Sequence, residues 1–304
     1  MIDNLIVIIP THNRQHYLNR VAWYYSQFNM QVYICDSTPA KACDVDYYDN
    51  IHYIWCPDKT FNNKILYVLN CTEADFYAMS PDDDFLRYET LIECYNAMQY
   101  NNTYSLGVGR QVYFRENSKL TEFKSNIFMN RLMGRTLSGS KITNTMKFWV
   151  NYQNILWSIF RKDVLVYAFS TLIKQEYKSQ NFIEVTLGMA ALNHGNIYIT
   201  GNALNYREVT DSSHWGREES VISIENYFKF SSMKYDIYKF WALKEGRIVN
   251  RIGLCSYLLS TTRLICFLRY FIDSKICRKS MDDIPYIDKL MIKKITLAQT
   301  YVKH

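Results

Sequence analysis

Four short apolar runs, each closed by polar or turn-forming residues, set the pattern of the first hundred positions. The first, Leu5-Ile6-Val7-Ile8-Ile9, is continuous rather than alternating, the mark of a strand buried on both faces. Further strands are expected over 31–35, 52–55 and 76–79. Helices are expected over 17–28, 64–70 and 88–100, and a strand over 105–114. Strands that alternate with helices predict a parallel sheet joined by crossovers, an α/β fold. The stretch 116–147 is polar, carries Ser, Thr, Asn and Gly, and has little periodicity, so a long loop or lid is expected there. A strand is expected over 154–160. Ile183, Leu187, Ala190 and Ala191 fall at helical spacing, which predicts an amphipathic helix over 182–193, closed by Gly195 and followed by a strand over 197–200. From residue 225 the pattern turns helical and basic. The apolar stretch 254–272 is broken by Arg263 and Arg269, and its longest uncharged part, 252–262, is too short to span a bilayer.

The fourth run ends abruptly. Phe76 to Met79 is followed by Ser80 and Pro81, then by Asp82, Asp83 and Asp84. Three adjacent carboxylates repel one another, and nothing in local folding asks for them. A divalent cation relieves that repulsion, because hard cations prefer carboxylate oxygens. The alternative is an acidic turn that caps a helix. In open α/β sheets ligands bind beyond the carboxyl ends of the strands, which draws in two further groups. Asp36 ends the second strand, where an acid accepts hydrogen bonds from a ribose or a base; it also reads as a turn Asp. Pro10, Thr11, His12, Asn13 and Arg14 follow the first strand with backbone N–H groups and a guanidinium, a set suited to a diphosphate.

The 304 residues suffice for one large domain, or a domain with an appendage, and 48% hydrophobic content supports a large core. With 10 Gly and 5 Pro the chain is neither fibrous nor of disordered type. The net charge of +6 is uneven: residues 225–304 carry +8 and the remainder −2. A near-neutral body with a basic end points to an anionic partner for that end. The eight Cys include no Cys-x-x-Cys pair and several lie in apolar runs, so they read as reduced core residues of a cytoplasmic protein, with no signal sequence at the N-terminus.

These stretches in this order resemble the GT-A nucleotide-sugar glycosyltransferases. The likeness rests on residues 5–14, on Val32-Tyr-Ile-Cys-Asp-Ser, and on residues 74–85 with their three Asp. The family 2-like bacterial enzymes of surface-polysaccharide synthesis are the nearest kind, and Asp58-Lys59-Thr60-Phe61-Asn62-Asn63-Lys64-Ile65 is similar to the link between third and fourth strands in some of them. The likeness covers about residues 4–115 well and 150–217 more weakly. It implies a GT-A catalytic domain over 1–224, with a nucleotide-sugar half at 1–115 and an acceptor half at 116–224. A helical basic region follows over 225–304.

It implies roles as well. Asp36 matches the nucleobase-binding acid and Lys64 a basic residue near the nucleotide. Asp82 and Asp84 match the outer acids of an Asp-x-Asp motif, with Asp83 beside them toward the nucleotide sugar. Asp84 and Asp82, joined by His214, are the expected ligands of Mn²⁺ or Mg²⁺. Arg207 lies in a segment that brings an Arg or His toward the diphosphate in related folds. Glu184 stands where inverting members carry an acidic pair, one of which deprotonates the acceptor hydroxyl. Only one acid is present here, and an acid in a first helical turn also suits the helix dipole.

The implied activity is transfer of a sugar from a UDP-sugar donor to a saccharide or lipid-linked acceptor in capsule, O-antigen or lipooligosaccharide synthesis. The basic end would rest on an anionic membrane surface at the inner face of the plasma membrane, or its apolar residues would pack on the catalytic domain or join a second copy of the chain. No nucleic-acid-binding module is present. Two alternatives remain: a sugar-phosphate nucleotidyltransferase, although residues 10–14 lack the Gly-rich loop such enzymes use, and an inert sugar-binding or assembly subunit.

Overall fold

The strand of residues 5–9 lies in the middle of the sheet, which is why its side chains are apolar on both faces. In the computed structural model it forms the core of β1 (Ile2–Thr11), paired in parallel with β2 (Met30–Asp36) on one side and β4 (Phe76–Met79) on the other. The structure describes residues 2–42, 48–117, 120–125, 137, 139–150, 154–208, 222 and 224–260. Side chains alternate across β1. Ile6 and Ile8 face one core with α2 (Phe61–Cys71), α5 (Lys162–Gln175) and α6 (Phe182–His194). Leu5, Val7 and Ile9 face the other, with α1 (Leu18–Ser26) and α3 (Tyr88–Tyr100).

The strand order is β3-β2-β1-β4-β8-β6-β9-β5, with β3 at Ile51–Trp55 and β5 at Phe85–Leu86. The sheet is mixed. β8 (Ile159–Arg161) runs antiparallel between β4 and β6 (Tyr104–Asn117), while β9 (Asn196–Glu208) is parallel to β6. β5 pairs antiparallel with the end of β9, and this pairing carries the three-Asp stretch toward Arg207.

Expected and observed elements differ where tertiary contacts decide. The span 116–147, expected to be irregular, holds the end of β6, its antiparallel partner β7 (Leu120–Ser125), and most of α4 (Lys141–Val150) on its described residues. Helix α5 was not expected. Its Val164, Leu165, Ala168, Phe169 and Leu172 recur at helical spacing, fall on one face and fill the core. The strand expected over 154–160 is only three residues long. The one expected over 197–200 runs on to Glu208, past irregularities in its pairing with β6.

Among the described residues three helices follow: α7 (Ile224–Lys229), α8 (Ser231–Trp241) and α9 (Arg247–Ser260). They pack on the body of the fold. Asp236 accepts the backbone N–H groups of Lys178 at 3.0 Å and Ser179 at 2.7 Å. Tyr257 meets the buried ring of Trp149 edge-on at 5.1 Å, and Leu254 is buried. Gly246 turns the chain into α9 at φ 61, against the side chain of Asn193, where a Cβ has no room. Among the described residues no helix is long and apolar enough to cross a membrane.

Candidate functional site

The carboxyl ends of β1, β2 and β4 are neighbours because those strands are adjacent and parallel. The fold therefore gathers Thr11, Asp36 and Asp82 at one edge, with Thr11 in register with Asp36. Thr11 Oγ1 donates to Asp82 Oδ2 at 2.6 Å. Arg14 forks between two acids: Nη1 lies 3.0 Å from Asp82 Oδ1 and Nη2 lies 2.5 Å from Asp83 Oδ2. Its guanidinium also stands over the Tyr17 ring at 4.6 Å. Asn13 takes φ 55, and its N–H donates to Thr38 Oγ1 at 2.8 Å. Pro10 lies within β1 beside Cys35, and His12 is tied to Ser37.

Asp36 is buried and tightly held. Its Oδ1 accepts the backbone N–H and hydroxyl of Thr38, and its Oδ2 accepts from Tyr53 Oη at 2.8 Å and Gln15 Nε2 at 3.1 Å. Lys64 lies in the first turn of α2, which Thr60 caps through the N–H of Asn63. Its buried ammonium donates to Thr11 O at 2.6 Å and Ser37 Oγ at 3.0 Å, joining β1 to β2. Burial lowers its pKa.

The three acids are held differently. Asp84 is 2% exposed; Oδ2 accepts from Arg207 Nε at 3.2 Å and Oδ1 from Glu208 N at 2.9 Å. Burial pushes its pKa up to about 8, against the pull of Arg207. Burial likewise raises Asp82 to about 6, against Arg14 and Thr11. Asp83 is more open, and its Oδ1 has no protein partner among the described residues. Arg20 ties the group to β9, through Glu208 at 2.7 Å and the carbonyl of Asp83 at 3.0 Å.

Among the described residues no three acid, His or Cys side chains converge as a metal site. This donor set nevertheless fits a hard dication that takes one or two carboxylates and completes its shell with diphosphate oxygens and water. Asp82 and Asp84 are desolvated acids, each beside one arginine, and Asp83 is the more open of the three. His214 lies outside the described residues.

Glu184 stands in the first turn of α6, and its Oε1 accepts from Asn154 Nδ2. Asn154 is fixed in turn: its Oδ1 accepts from Leu156 N at 2.9 Å and its carbonyl accepts from Gln111 Nε2 at 2.6 Å. Four residues on, Ser158 O accepts from Met79 N at 3.1 Å. One short segment thus links Glu184 to the strand that delivers the three Asp. Asn154, Gln111, Tyr53 and Gln15 were not singled out from the sequence, because isolated amides and phenols carry no motif.

The fold is similar to that of TarS from S. aureus. The TarS 1-349 structure matches with a TM-score of 0.52 at 14% identity, over 92% of this chain and 76% of that one. TarS 1-349 in complex with UDP-GlcNAc matches with 0.53 at 14% identity, over 90% and 76%. The likeness shows the fold, a GT-A-type, Rossmann-like sheet flanked by helices. No protein-family model and no curated protein matches the chain.

Proposed function

We propose that the chain transfers a sugar from a nucleotide-sugar donor, a UDP-sugar, to a hydroxyl of an acceptor, with inversion. The observation that carries this reading is the gathering of Asp36, Thr11, Arg14 and Asp82-Asp83-Asp84 on one sheet edge, in a fold similar to a protein solved with UDP-GlcNAc. Asp36 would accept from a nucleobase or ribose at the end of β2 in exchange for one of its present donors. Arg14 and Lys64 set positive charge at the end of β1, where a diphosphate would lie. Asp82 and Asp84, with Asp83 beside them, would hold Mn²⁺ or Mg²⁺, which offsets charge on the departing nucleoside diphosphate. Glu184, oriented by Asn154, accepts the proton of the acceptor hydroxyl as that oxygen attacks the anomeric carbon. The acceptor belongs to bacterial surface polysaccharide and is a saccharide or a lipid-linked saccharide. The exposed aromatic and basic side chains of α7, α8 and α9 would meet an anionic membrane surface.

Calorimetric titration with UDP tests the reading. The full chain is expected to bind UDP in the presence of Mn²⁺, and Asp36→Ala is expected to weaken binding roughly tenfold or more, the loss of one or two hydrogen bonds to a charged acceptor. Undetectable UDP binding by the wild type would overturn it.

A further inference from the structure

The carboxylates of Asp82, Asp83 and Asp84 are held by different parts of the fold, and the holders differ in how firmly they are anchored. Asp84 is gripped by β9, through Arg207 Nε and the backbone N–H of Glu208. Asp82 Oδ2 accepts from Thr11 Oγ1 at the end of β1. Arg14 spans the other two oxygens, with its guanidinium 3.0 Å from Asp82 Oδ1 and 2.5 Å from Asp83 Oδ2. It belongs to neither strand nor α-helix. It lies in the connection from β1 to α1, directly after Asn13 with its φ of 55. Its side chain is 26% exposed, against 4% for Asp82 and 7% for Arg20. The other cations near this edge are committed elsewhere: Arg20 pairs with Glu208, and Lys64 donates to the neutral oxygens of Thr11 and Ser37.

A partly exposed guanidinium thus stands on two of the acid oxygens that a divalent cation would use. The two cannot share them, because both positive groups need the same lone pairs and repel each other. Nor is Arg14 ready for a donor. Its two terminal nitrogens are turned to the acids, and an end-on grip on a diphosphate uses the same two nitrogens. With a dication on the acids, Arg14 becomes the surplus positive charge of the site, and a diphosphate is the anion that answers it.

We propose that Arg14 is an exchangeable counter-ion: it neutralises Asp82 and Asp83 while no divalent cation is bound, gives up both acids to the cation, and turns onto the donor diphosphate. One side chain then couples the two ligands, and each strengthens the other by the same factor. The turn onto the diphosphate rests on the transferase reading above; the competition with a cation rests on the ion pairs.

Mn²⁺ binding followed by electron paramagnetic resonance, and UDP binding followed by calorimetry, test it on the full chain and on Arg14→Met and Arg14→Lys. Without nucleotide, Arg14→Met is expected to bind Mn²⁺ roughly three- to tenfold more tightly than the wild type, since no ion pair has to break first. A residue that merely supported the site would move this affinity the other way. Arg14→Lys keeps the charge but cannot fork onto two acids, and its Mn²⁺ affinity is expected to fall between the two. In saturating Mn²⁺, Arg14→Met is expected to bind UDP about tenfold more weakly or worse, and the mutual strengthening of the two ligands shrinks. Unchanged or weaker Mn²⁺ binding by Arg14→Met, Mn²⁺ binding by Arg14→Lys equal to wild type, or an unchanged UDP affinity in Mn²⁺ overturns the proposal. So does UDP binding with no detectable Mn²⁺ binding by the wild type and both variants, which leaves the donor reading standing. A chain that binds no UDP, but whose Mn²⁺ affinity rises in Arg14→Met, loses the transferase reading and keeps the counter-ion.

Discussion

Glu184 and Asn154 form the pair whose geometry bears most directly on chemistry. The amide of Asn154 donates to the Glu184 carboxylate and fixes its direction. Glu184→Gln is expected to lower kcat by at least about 10²-fold with UDP affinity unchanged. Turnover close to wild type would return Glu184 to a helix-dipole role. Asp84 makes a different prediction. Its folded pKa lies above the unfolded value, so the fold holds a proton that the unfolded chain releases, and stability falls as pH rises from about 4 to about 8. In EDTA the wild-type melting temperature should drop across that window, and Asp84→Asn should flatten the drop. The same variant should lose Mn²⁺-dependent turnover; full metal-dependent activity would remove Asp84 from the metal site.

At the scale of elements, α6 is the part on which activity and packing meet. It is buried on nearly every side, and Gly188, one turn after Glu184, lies flat against Trp149. A Cβ at this position would come within 2.7 Å of the indole ring. The ring is itself fully buried and held by Phe148 and Tyr257, so it has nowhere to move. Gly188→Ala would favour the helix by propensity, but overpacking of a rigid site costs about 1–3 kcal/mol. The variant is expected to melt several degrees lower and to lose kcat more than donor affinity, since displacement of α6 carries Glu184 with it. A higher melting temperature would show that the helix slides without strain.

At the scale of the whole molecule, the helices after residue 223 serve the body through one face and leave another open. Tyr257 covers Trp149 and Leu254 is buried, while Phe228, Tyr238, Trp241 and Ile248 are exposed, as are Lys229, Lys234 and Arg247. Removal of this region would uncover the core, so point variants are the better probe of a membrane contact. Binding to phosphatidylserine vesicles is expected, weakening with salt and falling several-fold in a Phe228→Ser, Tyr238→Ser double variant. Basic groups near such a surface contribute about 1 kcal/mol each. Co-sedimentation unaffected by salt and by both substitutions would end that reading.

Much of this molecule was legible in the order of its residues. β1, β2, β4 and α3 are local statements: a run long enough and apolar enough to be one element, closed by turn chemistry. The run of three Asp after a buried strand, Asp36 after another, and Glu184 at a helix start were visible for the same reason, since topology places strand ends together whatever the sequence between them. Other features have no local signature. β7 pairs within a stretch that reads as loop. The partners of Asp84, Glu184 and Asp36 come from positions up to 124 residues away. Periodicity encodes which face of an element is buried; which distant side chain meets a given carboxylate is decided only when the packed faces come together.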